Sequence, residues 1–156
     1  MKIIDIGIEE KKRKEMAGRL NVLLANEYML YTKTLKYHWN VKGKHFGPLH
    51  TLFRDQYEKL FTFVDTIAER VISLGFEVIG TLNEFSKHTT LTEQAKNPDE
   101  LGMIKNLLAD HQTIIKELRE DIDASIKLND AGTNNLLADV IEKQEKIAWM
   151  LRAHLG

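Results

Sequence analysis

The chain is predicted to be all-α, a four-helix bundle with one long crossover, containing a short helix, between its second and third helices. Three observations predict it. Apolar residues recur at helical spacing through four long segments. Only two prolines occur in 156 residues. The connections are unequal, short between the first and second helices and between the third and fourth, but spanning 75–96 in the middle. An up-down-up-down bundle needs only short loops, so a long central link points to a crossover.

The first helix is expected over 8–39, with Met16, Leu20, Leu23, Leu24, Leu30, Tyr31 and Leu35 as its apolar stripe and Gly43 as a stop signal. The second is expected over 47–74, with Pro48 in its first turn. Phe53, Leu60, Phe61, Val64, Ile67, Ala68 and Val71 are its expected buried face, and Gly75 ends it. Residues 82–87 form the short helical candidate of the crossover. The third helix starts at Asn97-Pro98-Asp99, a cap followed by proline in the first turn, and its stripe is Leu101, Ile104, Leu108, Ile115, Leu118 and Ile122. After the turn-forming stretch 129–133, the fourth carries Leu137, Val140, Ile141, Ile147, Ala148, Leu151 and Leu155.

Composition bounds the function. With 43% hydrophobic and 29% charged residues, the chain suits one soluble, mostly helical domain. No apolar run approaches membrane-spanning length and the first residues do not resemble a signal peptide, so the cytoplasm is the expected location. The absence of cysteine excludes disulfides, thiolate catalysis and cysteine-ligated metals. Any metal must be held by His, Asp, Glu or backbone. A net charge of −1 does not advertise a polyanionic partner.

Two histidines and two acids carry the functional signal: His38 and His50, then Asp65 and Glu69, the last two one helical turn apart. Singly, each has an ordinary reading: solvated acids, with Glu69 paired to Arg70 or another nearby base, a capping histidine at 38 and a half-buried one at 50. Together they lie in the strings YHWNVKGKHFGPLHTLF (37–53) and VDTIAER (64–70), and a further string, IAWMLRAHL, spans 147–155. These strings resemble the Dps miniferritins, the DNA-binding proteins from starved cells within the ferritin-like superfamily, and the likeness covers nearly the whole chain. The resemblance implies a dodecameric shell that oxidises ferrous iron, typically with hydrogen peroxide, and stores ferric mineral inside. It implies His38, His50, Asp65 and Glu69 as catalytic iron ligands and pore acids near the start of the last helix, where Asp130 and Asp139 are candidates, with surface acids as the ordinary reading, and Asn135 replaces an acid. Trp39 would pack near the site or serve as a core aromatic. It departs at Arg54, where many members have an acid. Arg54 is expected to pair with Glu58 one turn on, leaving a second iron position weaker.

Spacing adds its own constraint. If 47–74 is one helix, His50 and Asp65 lie about 22 Å apart along its axis, too far to share an ion. His38 and His50 would meet at one end of an antiparallel helix pair. Asp65 and Glu69, about 100–140° from the apolar face, would point out of their own bundle, so a complete site needs a second subunit. No histidine here has a glutamate three residues before it, which disfavours the Glu-x-x-His centre of bundle interiors.

Other candidates rank lower. His111 lies in the third helix's apolar stripe, where a hydrogen-bonded core histidine is the favoured reading over a ligand. Glu27 is a candidate supporting or salt-bridge group in register with His38. His45, His88 and His154 show no partner at convincing spacing. The one basic cluster, Lys11-Lys12-Arg13-Lys14, is flanked by acids at helix-pairing distance, Glu9 with Arg13, Glu10 with Lys14 and Lys11 with Glu15. Only residues 1–7 precede the first helix, with one lysine. DNA binding is therefore disfavoured. The alternatives to a ferroxidase are a nucleoid-compacting DNA-binding structural protein and a bundle that acts only as an interaction module.

Overall fold

The computed structural model describes residues 4–156, and among them it contains helices α1 (Glu10–Asn40), α2 (Phe46–Ser73), α3 (Leu82–His88), α4 (Glu100–Lys127) and α5 (Ala131–Ala153), with no strand. The expected all-α bundle and the short crossover helix are both present. α1 packs extensively on α2 and α4 on α5, α1–α4 and α2–α5 contacts complete the bundle, and α3 lies against α1. None of the described helices is long and apolar enough to cross a membrane.

The ends are set by local chemistry. Asp99 caps α4 by accepting from the Gly102 amide, and Asp130 caps α5 by accepting from the Thr133 amide. The cap of α4 thus falls two residues later than Asn97, and Pro98 precedes the helix instead of entering its first turn. Gly43, with φ 126°, is required by a close approach: a Cβ there would lie 2.7 Å from Glu100 Oε1. That approach lets Glu100 accept from the His45 backbone amide at 2.9 Å and from its Nδ1 at 3.0 Å, joining the α1–α2 turn to the start of α4.

The buried face of α2 is Leu49, Phe53, Gln56, Leu60, Phe63, Ile67 and Val71. Phe61, expected in the core, is 56% exposed. It follows Leu60 by about 100° on the helix and packs on Tyr31, ring centroids 5.7 Å apart. Leu101 is likewise exposed, and Met103 and Leu107 take the core positions of α4.

Burial also separates Arg13 from the basic cluster. Its Nη1 donates to the Leu74 carbonyl at 2.6 Å, its Nε donates to the Ile8 carbonyl at 3.1 Å, and its guanidinium lies 5.7 Å from the Phe76 ring centroid. The expected acid pairs of this segment do not form, and the pairs present are Lys12 with Glu9 and Arg19 with Glu15. The long arginine reaches carbonyls that need donors, which exposed glutamates cannot match energetically.

Glu27 is fully buried and accepts from Gln144 Nε2 at 2.7 and 2.9 Å on its two oxygens. Gln144 Oε1 accepts in turn from His111 Nδ1, so α1, α5 and α4 are linked through one amide. Among the described residues Glu27 has no salt bridge, and His111 is the hydrogen-bonded core histidine expected. Burial pushes the Glu27 carboxyl up to about 8, with Gln144 opposing, and pushes His111 down to about 4.

Two outcomes follow. Asp130, almost fully buried, accepts from Arg70 Nη2 at 2.7 Å and from Thr133 Oγ1 at 2.6 Å. Asp130→Ala should therefore cost about 3 kcal/mol, read as a lowered denaturation midpoint at fixed protein concentration. The folded state holds the Glu27 proton that the unfolded chain releases near pH 4.5, so this contribution to stability is full below pH 4.5 and is lost as pH rises to about 8. His111 acts oppositely only below 6.5, and Asp121, raised to about 6 by burial, is spent by then. Between pH 6.5 and 8 stability should fall by on the order of 1 kcal/mol, and Glu27→Gln should flatten that slope in a pH series of unfolding curves.

Candidate metal centre

His38 stands in the last turn of α1 and His50 near the start of α2, and the intervening turn folds the helices back so that the two rings stack, centroids 3.8 Å apart and planes at 19°. Each ring is held by the other residue's backbone. His38 Nδ1 donates to the His50 carbonyl at 2.7 Å, and His50 Nδ1 donates to the His38 carbonyl at 2.8 Å. A carbonyl oxygen can only accept, so both Nδ1 atoms carry hydrogen, and in the neutral rings each Nε2 keeps its lone pair. Anchoring one imidazole nitrogen on a carbonyl is how proteins aim the other at a metal. Tyr57 meets the His38 ring edge-on at 5.3 Å, and the Phe46 ring lies 5.0 Å from His50. His38 is buried and His50 partly so.

Asp65 and Glu69 lie on the unbroken helix α2, both exposed, and their carboxylates take part in no ion pair or hydrogen bond among the described residues. Asp65 lies about 160° around the helix from Ile67, at the centre of the buried face, so it faces away from its own bundle more squarely than the expected angle of about 100–140°. Fifteen residues of helix separate it from His50, about 22 Å of axial rise. The chain thus brings His38 and His50 together and keeps Asp65 and Glu69 apart from them. Among the described residues no group of three or more metal-capable side chains gathers within one chain.

The remaining candidates sort differently. Trp39 is 68% exposed, so it is not a core aromatic of the chain. Arg54 is exposed and forms no ion pair with Glu58 among the described residues. Arg70 is engaged by Asp130 and Thr133 and leaves Glu69 free. Asp130 is neither a surface acid nor free to line a pore within this chain, because its cap and ion pair consume both oxygens. Asp139 is exposed and paired with Lys143 one turn on. His45, which showed no partner in sequence, pairs with Glu100, and the hydrogen bond from His45 holds that carboxyl below its usual range. A partner 55 residues away leaves no local spacing signal. Tyr57 was also missed, since one aromatic on a helix reads as packing.

Residues 17–156 match the family model of the ferritin-like domain. The chain is 42% identical over 154 residues to an uncharacterised low temperature-induced protein of Nostoc sp., covering 97% of this chain and 86% of that protein. It is 32% identical over 143 residues to DNA protection during starvation protein 2 of Bacillus anthracis, covering 92% and 98%. The fold superposes on the crystal structure of the Dps protein from Vibrio cholerae O1 with a TM-score of 0.95 at 31% identity, covering 100% and 98%, and that protein is described as one of a broad superfamily of ferritin-like diiron-carboxylate proteins. With the four-helix crossover fold, a family match from 17 to the end and Dps relatives aligned along nearly their full length, the chain belongs to the Dps miniferritin family of the ferritin-like superfamily.

Proposed function

We propose that this protein oxidises ferrous iron with hydrogen peroxide at sites built from two copies of the chain, and stores the ferric product inside a closed homo-oligomeric shell, as a dodecamer on the family pattern. The observation that carries the reading is the reciprocal lock of His38 and His50. It presents two Nε2 lone pairs with no carboxylate beside them, while two carboxylates, unpaired among the described residues, wait about 22 and 28 Å along the same rigid helix. A second copy packed antiparallel supplies Asp65 and Glu69 to the histidines of the first, and two-fold symmetry returns the favour. Apolar surface supports such packing, since Trp39 and Phe46, flanking the histidines in sequence, are both exposed.

Imidazole and carboxylate without sulfur suit ferrous iron and stabilise its ferric product. Two ferrous ions give one electron each, and one peroxide with two protons becomes two waters. Arg54 stands one turn from His50, where an acid would add oxygen donors. A guanidinium there disfavours a second cation, so the site holds one iron tightly and another weakly.

Several relatives are named for DNA protection, which motivates the nucleoid reading. Arg13 is withdrawn into the fold, so the basic stretch offers only Lys11, Lys12 and Lys14.

Two experiments test this. Chains with His38 and His50 both changed to alanine are unfolded and reassembled with chains carrying Asp65→Ala and Glu69→Ala. Half of random pairs are mixed and each holds one intact site of two, so roughly a quarter of wild-type peroxide-dependent activity should return. No recovery in shells verified to contain both chains rejects the shared site. Duplex DNA at about 0.15 M ionic strength should bind weakly or not at all. Nanomolar affinity that disappears when Lys11, Lys12 and Lys14 become glutamine favours the nucleoid reading instead.

A further inference from the structure

Three of the four tyrosines form a connected series that begins at the histidine pair. Tyr57 contacts the His38 ring at 5.3 Å, Tyr31 lies 6.1 Å from Tyr57, Tyr28 lies 5.9 Å from Tyr31, and Tyr28 stacks on Phe85 of α3 at 4.4 Å. All three rings are partly buried, and among the described residues none of their hydroxyls hydrogen-bonds a protein group. Each phenol therefore has solvent as its route for losing a proton. Tyr37 is different: it is fully buried, its hydroxyl accepts from Asn106, and its ring lies 6.4 Å from that of Phe53. Burial, with Tyr28 and Tyr57 as neighbours, raises the Tyr31 hydroxyl above its ordinary range, consistent with the three phenols facing one another.

We propose that Tyr57, Tyr31 and Tyr28 are a one-electron relay that lets a site holding a single ferrous ion reduce peroxide completely. The inference rests on the iron-oxidising reading of His38 and His50. Peroxide needs two electrons and one ferrous ion supplies one, so a lone ion would release a hydroxyl radical. Tyr57 supplies the second electron and a proton: ferrous ion, peroxide and the Tyr57 phenol give ferric ion, hydroxide, water and the Tyr57 phenoxyl radical. The radical moves when Tyr31 and then Tyr28 gives an electron to its oxidised neighbour, the donor phenol releasing its proton to solvent and the reduced phenoxyl taking one up from it. A ferrous ion from solution, with one proton, restores the last phenol and is itself oxidised, so two ferrous ions are consumed per peroxide. Contacts near 6 Å favour this hopping because electronic coupling decays steeply with distance.

The test mixes assembled protein, loaded anaerobically with one ferrous ion per chain, with one peroxide and freezes it within milliseconds for electron paramagnetic resonance. Ferric yield is read in parallel, with His50→Ala as the control for the site. Wild type should show a tyrosyl signal, and Tyr57→Phe should lose it while spin-trapped hydroxyl radical rises. Tyr31→Phe should keep the signal but slow its decay when more ferrous ion is added, which separates a relay from a lone oxidisable side chain. A signal unchanged in Tyr57→Phe, or none in wild type although ferric forms in a His50-dependent manner, overturns the relay and leaves the site standing. Ferrous oxidation no faster in wild type than in His50→Ala overturns the site and the relay with it.

Discussion

A straight helix cannot fold its own middle back onto its start, and α2 runs unbroken from Phe46 to Ser73. His50 near one end and Asp65 and Glu69 farther along are therefore held at a fixed separation, whatever their side chains do. The proposed chemistry inherits that constraint: the chain carries both halves of a ligand set and cannot close it alone. The half it does assemble is rigid, because the imidazole hydrogen bonds run between the two helix ends and the Glu100 carboxylate grips the intervening turn through His45. Fold and site share the same contacts at this corner of the bundle.

Burial divides the carboxylates by what they can do. Glu27 sits buried in the core against Gln144, with no cation beside it among the described residues, so the proton stays on well above the usual carboxyl range. Asp130 is buried too, but Arg70 and the first turn of α5 keep its oxygens occupied. Asp65 and Glu69 face solvent on the back of α2, which leaves them available as anionic oxygen donors. Thus the acids best placed to receive a metal are those the monomer uses least.

The fold was legible because its cues are local and repeated: apolar spacing, two short turns and one long link. The histidine pairing was legible for the same reason, since twelve residues across one turn bring a helix end back to the next helix start. Misreadings came where size or charge was taken for position. Phe61 is large and apolar yet lies one residue off the buried face, and Arg13 is charged yet satisfies the Leu74 carbonyl inside the fold. His45 with Glu100 and the aromatic series from Tyr57 depend on contacts across distant segments, which no single-helix pattern contains.

The central claim is that iron is held between two chains, and anomalous diffraction at the iron edge from crystals loaded anaerobically with ferrous iron tests it most directly. The account predicts a peak within bonding distance of Nε2 of both His38 and His50 from one chain, with oxygens of Asp65 and Glu69 from a second chain completing the shell. A peak bound only by groups of one chain, or one inside the bundle beside Glu27 and His111, would contradict it.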